Sequence, residues 1–395
     1  MNSSQKPSKV LIIDNDEATA NRINSILMNH QIPGEKAINY SRALYFFNQQ
    51  KIDLCIIEKE IDDIPATVLI QKFRDHEVPS KRNPAFIVVS SSAADRDLSA
   101  YKEIGGIVVI AKPIKEPVLL SAIVRAKENA MARAKLFELE INVLNPLIEK
   151  GDMEQAVNIA ETNLMPGGNK AKFLASEINE KAENYERSTE VTGALHKGDE
   201  KNLQYINQLG RLHLKTKDLK KAAAYFEKAD KQAPDHIERM EAMAGLYLEM
   251  RLPDKSIEKY RKLIKFNPER PDLKFEFFEE LQKRGFDKEA VKFCQENTKA
   301  LELIRHYNNR GVMMSKEEKY IDAIDEYAKA AKLIPNSKEL YRILYNSALA
   351  HINLKKHAHL TEASRLLKEA LKLKPDFTKA QEKLVIVEGY LSKSA

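Results

Sequence analysis

Cysteine is nearly missing from this chain of 395 residues: there are two, Cys55 and Cys294, far apart and each inside an apolar stretch. That excludes a disulfide framework and a cysteine-based zinc site, and makes a reducing compartment, the cytoplasm, the expected location. No apolar run is long enough to span a bilayer, and the polar start Met1-Asn2-Ser3-Ser4-Gln5-Lys6 lacks a signal-peptide pattern, so no membrane insertion is expected. Charge of one sign is never blocked: 64 basic and 58 acidic residues are interspersed, leaving a net charge of +6. So mild a bias does not argue for a nucleic-acid partner, and no basic recognition helix stands out. A Gly-rich phosphate loop, a nucleophile elbow and a zinc signature are also lacking. The histidines are scattered, and the closest pair, His357 and His359, has an offset that puts the two on different faces of a helix. Nothing in the sequence points to an enzyme.

What is present changes texture near residue 115. Before it, the apolar runs Val10 to Ile13, Leu54 to Ile57, Phe86 to Val89 and Ile107 to Ile110 alternate with amphipathic stretches such as Ile23, Ile26 and Leu27. That alternation predicts a parallel sheet covered by helices on both faces. After residue 115 the strands vanish and the chain reads as helix, rich in Ala, Leu, Lys and Glu. A mass of 45.0 kDa exceeds one ordinary core, in keeping with more than one domain.

In open sheets of this class the working site lies beyond the carboxyl ends of the strands. The successive runs end in Asp14-Asn15-Asp16-Glu17, Glu58-Lys59-Glu60, Ser90-Ser91-Ser92 and Ala111-Lys112-Pro113. An acidic cluster, an acid, a hydroxyl and a lysine, in that order and spacing, resemble the receiver domain of bacterial response regulators over residues 7 to 128. The resemblance implies a flavodoxin-like fold, a doubly wound sheet of five parallel strands. It also implies a pocket in which Asp14 and Asn15, with Asp16 beside them, take the place of a Mg²⁺-holding acidic pair. Glu58 then stands at the phosphoacceptor position, Ser90 supplies the hydroxyl, and Lys112 before a cis Pro113 closes the site. Asp16 and Glu17 read equally well as a solvated loop.

The departures from that pattern weaken the chemistry. Asn15 keeps an oxygen but removes a charge from a site whose hard cation prefers carboxylates, so the set Asp14, Asn15 and Glu58 is expected to bind Mg²⁺ weakly at most, with no other cofactor. Glu58 is one methylene longer than Asp, and a displacement of about 1 Å can cost on the order of a hundredfold in rate. Phosphoryl transfer to Glu58 is therefore not expected; a neighbouring acid, Asp62 or Asp63, is the alternative acceptor. The position three residues before the lysine, where many receivers carry a switching aromatic, is Val109. Glu58 is expected to reach Lys112 and hold a standing salt bridge.

Between Pro117 and Pro146 no proline or glycine intervenes, and Leu120, Ile123, Val124, Ala130, Ala134, Phe137 and Ile141 recur at helical spacing. One long rod is predicted there, with a face for packing or self-association as a homodimer. Next, Leu209-Gly210, Ala222, Phe226, Ala229 and Pro234 return as Met243-Ala244, Ser256, Tyr260, Leu263 and Pro268, a period of 34 residues. Related sets are Tyr307, Gly311, Ala323, Tyr327, Ala330 and Pro335, then Ala363, Leu367, Ala370 and Pro375. This resembles the tetratricopeptide repeat (TPR), whose small residues let paired helices approach and whose stacked pairs form an all-α solenoid. Gly151-Asp152 with Ala156 and Ala160 suggests a divergent first unit, and the last unit carries extra residues around Lys355 to Leu360. Polar Arg187 to Lys201, with Gly193 and Gly198, reads as a flexible loop.

The organisation expected is thus a receiver-like domain over residues 1–128, a linker helix with divergent repeats over 129–200, TPR repeats over 201–377 and a capping helix over 378–395. By position in the repeat, Asn207, Arg211, Lys215 and Asn308 should face a groove suited to a partner protein with acidic groups, though Glu238, Glu241 and Glu249 interrupt that field. The function expected is a non-enzymatic adaptor of a two-component system, meeting a histidine kinase or another response regulator through its receiver face. The alternatives are a phosphorylation-controlled regulator with TPR output and a scaffold for assembling a larger machine.

Overall fold

The structure, a computed structural model, describes residues 9–91, 95–335 and 337–393. The polar start Met1 to Lys6 and Ser92 lie outside the described residues, as do the side chains of Phe137 and Ile141. The chain forms two compact units that divide between Pro271 and Asp272. No helix among the described residues is long and apolar enough to cross a membrane.

The first unit opens with β1 (Val10–Ile13), α1 (Glu17–Asn29), β2 (Gly34–Ala37), α2 (Tyr40–Gln49) and β3 (Leu54–Glu58). A short hairpin, β4 (Glu60–Ile61) and β5 (Ile64–Pro65), follows, then α3 (Ala66–Arg74), β6 (Ala85–Ser90), α4 (Asp95–Ile104), β7 (Ile107–Ala111) and α5 (Glu116–Leu139). The five long strands form one parallel sheet in the order β2-β1-β3-β6-β7, with Val10 beside Leu54 and Leu54 beside Ala85. As the continuous apolar runs require, both faces of the sheet are covered. Val10, Ile12, Ile56, Ile87 and Val89 pack against Ile23 and Leu27 of α1 and Leu119, Ile123 and Ala126 of α5. On the other face Leu11, Cys55, Ile57, Phe86 and Val88 are fully buried. The hairpin turns on Asp62 and Asp63, both left-handed at φ 52° and 59°, a conformation that short polar side chains tolerate better than bulky ones.

Helix α5 keeps the uninterrupted course read from its composition as far as Leu139, then widens into a π turn over Glu140–Leu144 and resumes as α6 (Asn145–Glu149). Pro146 sits in the first turn of α6, where its missing N–H is tolerated. Then come α7 (Met153–Asn163), α8 (Asn169–Lys181), α9 (Tyr185–Gly198), α10 (Leu203–Lys215), α11 (Leu219–Gln232), α12 (Ile237–Glu249) and α13 (Pro253–Phe266).

Helix α9 overturns the flexible loop read from the polarity of Arg187 to Lys201. Its inner face pairs the apolar Val191 and Leu195 with two hydroxyls: Ser188 Oγ donates to Ser176 O at 2.9 Å, Ser176 Oγ lies 2.6 Å from Thr192 Oγ1, and Gln208 Nε2 donates to Ser176 Oγ at 3.1 Å. Ser176, Ser188, Thr192 and Gln208 are all inaccessible to solvent. Apart from Gln208 Oε1, which is buried without a hydrogen bond, these polar groups bond one another, which offsets most of the penalty of burying them.

The second unit contains α14 (Leu273–Lys283), α15 (Asp287–Asn297), α16 (Ala300–Lys316), α17 (Tyr320–Leu333), α18 (Tyr341–Asn353), α19 (His357–Leu373) and α20 (Thr378–Lys393). Consecutive helices pair as α14 with α15, α16 with α17 and α18 with α19, and α20 lies on α19. The extra residues read near Lys355 to Leu360 lengthen the start of α19 and leave its Ala363, Leu367 and Ala370 buried as in other units. In two of the pairs a glycine admits a ring: a Cβ placed on Gly210 would lie 2.7 Å from the Phe226 ring, and one on Gly311 would collide with Tyr327. Gly245, in contrast, faces open space. Gly210→Ala should therefore cost about 1–3 kcal/mol by overpacking, whereas Gly245→Ala should gain about 0.5–1 kcal/mol through helix propensity. Denaturant midpoints of the two variants moving in the same direction would contradict this account of the packing.

Candidate functional site

At the carboxyl end of the sheet, Asp14 ends its strand with a side chain only 2% exposed, and its Oδ1 accepts from Asp16 N at 2.8 Å. Its other oxygen lies 3.4 Å from Lys112 Nζ, and the same ammonium makes a very short ion pair with Glu58 Oε2. Lys112 is aimed there by its backbone, whose N–H donates to Ser90 O at 3.0 Å and whose peptide bond to Pro113 is cis. Ser90 is buried at the end of β6. Asp14, Glu58, Ser90 and Lys112, read from four separate strand ends, thus meet in one pocket. Burial raises the Asp14 pKa, against the opposing pull of the Asp16 N–H and the Lys112 charge. For Lys112 burial works against the ammonium, but Glu58 and Asp14 outweigh it and hold its pKa above the ordinary lysine range.

Asn15 and Asp16 point elsewhere. Asp16 caps α1, accepting from Ala18 N and Thr19 N at 3.2 Å each and from the Thr19 hydroxyl, which keeps its carboxyl below the usual range. Asn15 donates from Nδ2 to Asp62 Oδ1 at 2.9 Å, and Asp62 Oδ2 accepts from Tyr40 N at 2.8 Å. These residues do not fit a bound Mg²⁺. The ammonium already stands against the two carboxylates a cation would need, and Asn15 is turned to the hairpin; no group of three or more His, Cys, Asp or Glu among the described residues could hold a metal.

A second polar centre joins the α/β part to the helices. Glu103 on α4 accepts through one oxygen, Oε1, from Asn207 Nδ2 on α10 and Arg239 Nη1 on α12, both in very short contacts. The Glu103 and Arg239 side chains are 2% and 1% exposed, and Arg239 Nη1 also donates to Asn207 Oδ1 at 3.0 Å. Beside them Ala100 packs on Leu203, Ile206, Ala229 and Ala233. Gln71 on α3 reads the loop between α11 and α12, its Nε2 donating to Asp235 O at 3.3 Å and its Oε1 accepting from Ile237 N at 2.9 Å. Lys72 Nζ donates to Tyr40 Oη at 2.6 Å, to Phe266 O at 2.6 Å and to Glu269 Oε1 at 2.5 Å, while Tyr40 Oη donates to Glu269 Oε2 at 3.1 Å.

The groove residues read from the repeat have different fates. Asn207 is 6% exposed, covered by Glu103. Arg211 is engaged within the helices, with Nε and Nη2 each 3.3 Å from the Glu180 carboxylate and Nη1 3.8 Å from Glu238. Lys215 is exposed. Asn308 belongs to the second unit, where its Oδ1 accepts from Asn346 Nδ2 at 2.6 Å. Sequence reading missed Glu103, Arg239, Gln71 and Lys72, whose polar side chains on amphipathic helices look like any solvated face.

Electrostatics oppose this union in one place. Asp75, at the end of α3, has its pKa pushed up to about 6, first by burial and then by Glu238 and Glu241 of α12. The adjoining His236 is pushed down to about 3 by burial and by Arg239 and Arg211, and so is neutral at ordinary pH. Because the folded state holds the Asp75 proton more tightly than the unfolded chain, this group's contribution is fullest below the unfolded pKa, near 4, and is lost as pH rises through about 6. Asp75 retains exposed surface, so water screens the effect. Asp75→Asn should raise the thermal midpoint at about pH 7 and raise it less at about pH 4; a gain independent of pH would refute the like-charge explanation.

Residues 10–124 match the response regulator receiver domain family, and residues 203–236 match a tetratricopeptide repeat family. Among individual proteins, the BBSome complex member BBS4 of Bos taurus is 27% identical over 175 residues, which are 44% of this chain and 32% of that protein. The chain therefore spans about a third of that relative's length. A signal receiver domain of a histidine kinase from Syntrophus aciditrophicus is 23% identical, covering 31% of this chain and 90% of its own, with a TM-score of 0.28. A tetratricopeptide repeat protein from Parabacteroides merdae is 14% identical, covering 64% of this chain and 98% of its own, with a TM-score of 0.35. Together with the strand order and the paired helices, the two family matches mark residues 10–124 as a receiver domain and residues 203–236 as a tetratricopeptide repeat within a longer TPR-like helical region.

Proposed function

We propose that the chain is a non-enzymatic signalling adaptor whose receiver works without phosphorylation and whose repeats hold a partner protein. The observation that carries this reading is the ion pair of Lys112 with Glu58, flanked by Asp14. An ammonium against both carboxylates supplies the countercharge that a metal would otherwise bring, and the longer acid turned towards it is not free to attack phosphorus. Asp62, the other acid near the pocket mouth, already accepts from Asn15 and Tyr40. The receiver then serves as a surface that meets a histidine kinase or a second regulator, and no nucleic acid enters the scheme. A cytoplasmic site of action follows from the cytoplasmic partners that this reading names.

The wild-type chain should show no thermal stabilisation by beryllofluoride with Mg²⁺, while Glu58→Asp combined with Asn15→Asp should gain it. Covalent uptake of phosphate from acetyl phosphate by the wild type, lost in Glu58→Gln, would defeat the proposal. Lys112→Ala leaves the buried Asp14 carboxylate without its cation and should cost about 1–3 kcal/mol of stability, read by chemical denaturation.

A further inference from the structure

The contact between the receiver and the first repeats combines several polar points with the small apolar cluster around Ala100 and leaves unfilled space. A cavity of about 190 Å³ opens among Gln71, Arg74, Glu103, Asn207, Arg211 and His236. Another, of about 340 Å³, lies between Thr67 and Tyr101 on one side and Pro234, Asp235 and Lys262 on the other. Asp75 faces Glu238 and Glu241 as like charges. A polar, partly unfilled interface of this kind resembles one that forms and parts, and differs from a hydrophobic core cut in two.

At its centre, a carboxylate is held by a guanidinium and an amide away from water, an arrangement that recognises acidic side chains wherever it occurs. The cradle is not saturated. Both donors converge on Glu103 Oε1, and Arg239 Nε is buried without a hydrogen bond, 3.8 Å from Asp230 Oδ1.

We infer that Asn207 and Arg239 form a carboxylate-binding surface on the repeats, which the receiver closes in cis with Glu103 and which an acidic segment of a partner protein occupies when the receiver parts from it. The inference rests on the adaptor reading and adds to it the chemistry of the partner and the means by which access is controlled. Glu103 is a stand-in for the partner's side chain, and the affinity seen by an outside ligand is reduced by the fraction of molecules that are open.

The test uses the full chain and, as probe, an acetylated and amidated Glu-Leu-Glu-Glu-Leu-Glu peptide, with the Lys-for-Glu peptide as control. Glu103→Ala takes from the buried Arg239 its close carboxylate, leaving only Asp230 at 3.8 Å as countercharge, and so favours opening; amide exchange in α4 and α10 should quicken. The acidic probe should bind this variant about tenfold more tightly than wild type, as expected if the open form rises from a tenth of molecules to nearly all. Adding Arg239→Ala should abolish the gain, and Glu103→Leu with Arg239→Met should restore slow exchange and weak binding, because an apolar pair of similar volume can replace a buried ion pair. Glu103→Gln, which keeps the shape of the side chain, gives a smaller opening should Glu103→Ala fail to fold. Unchanged exchange and unchanged affinity in Glu103→Ala and Glu103→Gln would overturn the inference. So would probe binding that is indifferent to Arg239 or equal for the Lys peptide. Failure of the adaptor reading would look different: phosphate taken up on Glu58 by the wild type, whatever the peptide does.

Discussion

A carboxylate withdrawn from water must find a cation or several donors, and that requirement organises the first unit of this protein. Asp14 and Glu103 are both about as buried as the strands beside them, at 2% and 5% exposure. Each is stable there because a basic side chain from a distant part of the sequence reaches it, Lys112 in one case and Arg239 in the other. Removing one partner from such a pair is costly, whereas the pair itself contributes little net stability over an apolar substitute. The value of these contacts therefore lies in specifying geometry: Lys112 draws Asp14 and Glu58 together, and Arg239 with Asn207 sets Glu103 of α4 against α10 and α12.

A separate short series of contacts runs from the pocket mouth to the repeats. Asn15 at the pocket mouth holds Asp62 of the hairpin, Asp62 holds the first backbone N–H of α2 at Tyr40, and the Tyr40 hydroxyl reaches Glu269 just beyond α13. Lys72 braces the far end by bonding Tyr40, Glu269 and the carbonyl of Phe266 at once. Val109 offers no ring for the packing change associated with receivers, and Tyr40 is an aromatic residue that touches both the hairpin at the pocket mouth and the repeats. Asn15 thus has a structural use, as a donor to the hairpin.

The sheet and the pocket were legible in the sequence because parallel strands write themselves as apolar runs and the residues after each run share one edge. Four strand ends were enough to bring Asp14, Glu58, Ser90 and Lys112 together. The repeats were legible through their small residues and rings, as Gly210 with Phe226 and Gly311 with Tyr327 illustrate. Helix α9 was not, because beside Val191 and Leu195 it buries the hydroxyls of Ser188 and Thr192, and a periodicity of hydrophobic residues alone registers only half of such a face. Nor was the meeting of Glu103 with Asn207 and Arg239, since the partners lie more than a hundred residues from Glu103 in the chain, at separations of 104 and 136, and nothing local marks which surface acid will be covered. The position of Asn207 within its repeat was read as groove-facing; what the sequence could not reveal is that the chain supplies its own occupant.

One feature of the backbone bears on how such a two-part molecule keeps its parts in register. An α-helix advances its side chains by about 100° per residue, so the wider turn at Glu140–Leu144 resets the azimuth of the helices that follow in the first unit relative to the rod that leaves the sheet. A single residue lost there would rotate α7 to α13 about the axis of that rod, bringing a different flank of α10 and α12 towards α4. In this sense the alignment of an arginine with its glutamate is set in part by the pitch of five residues that touch neither of them.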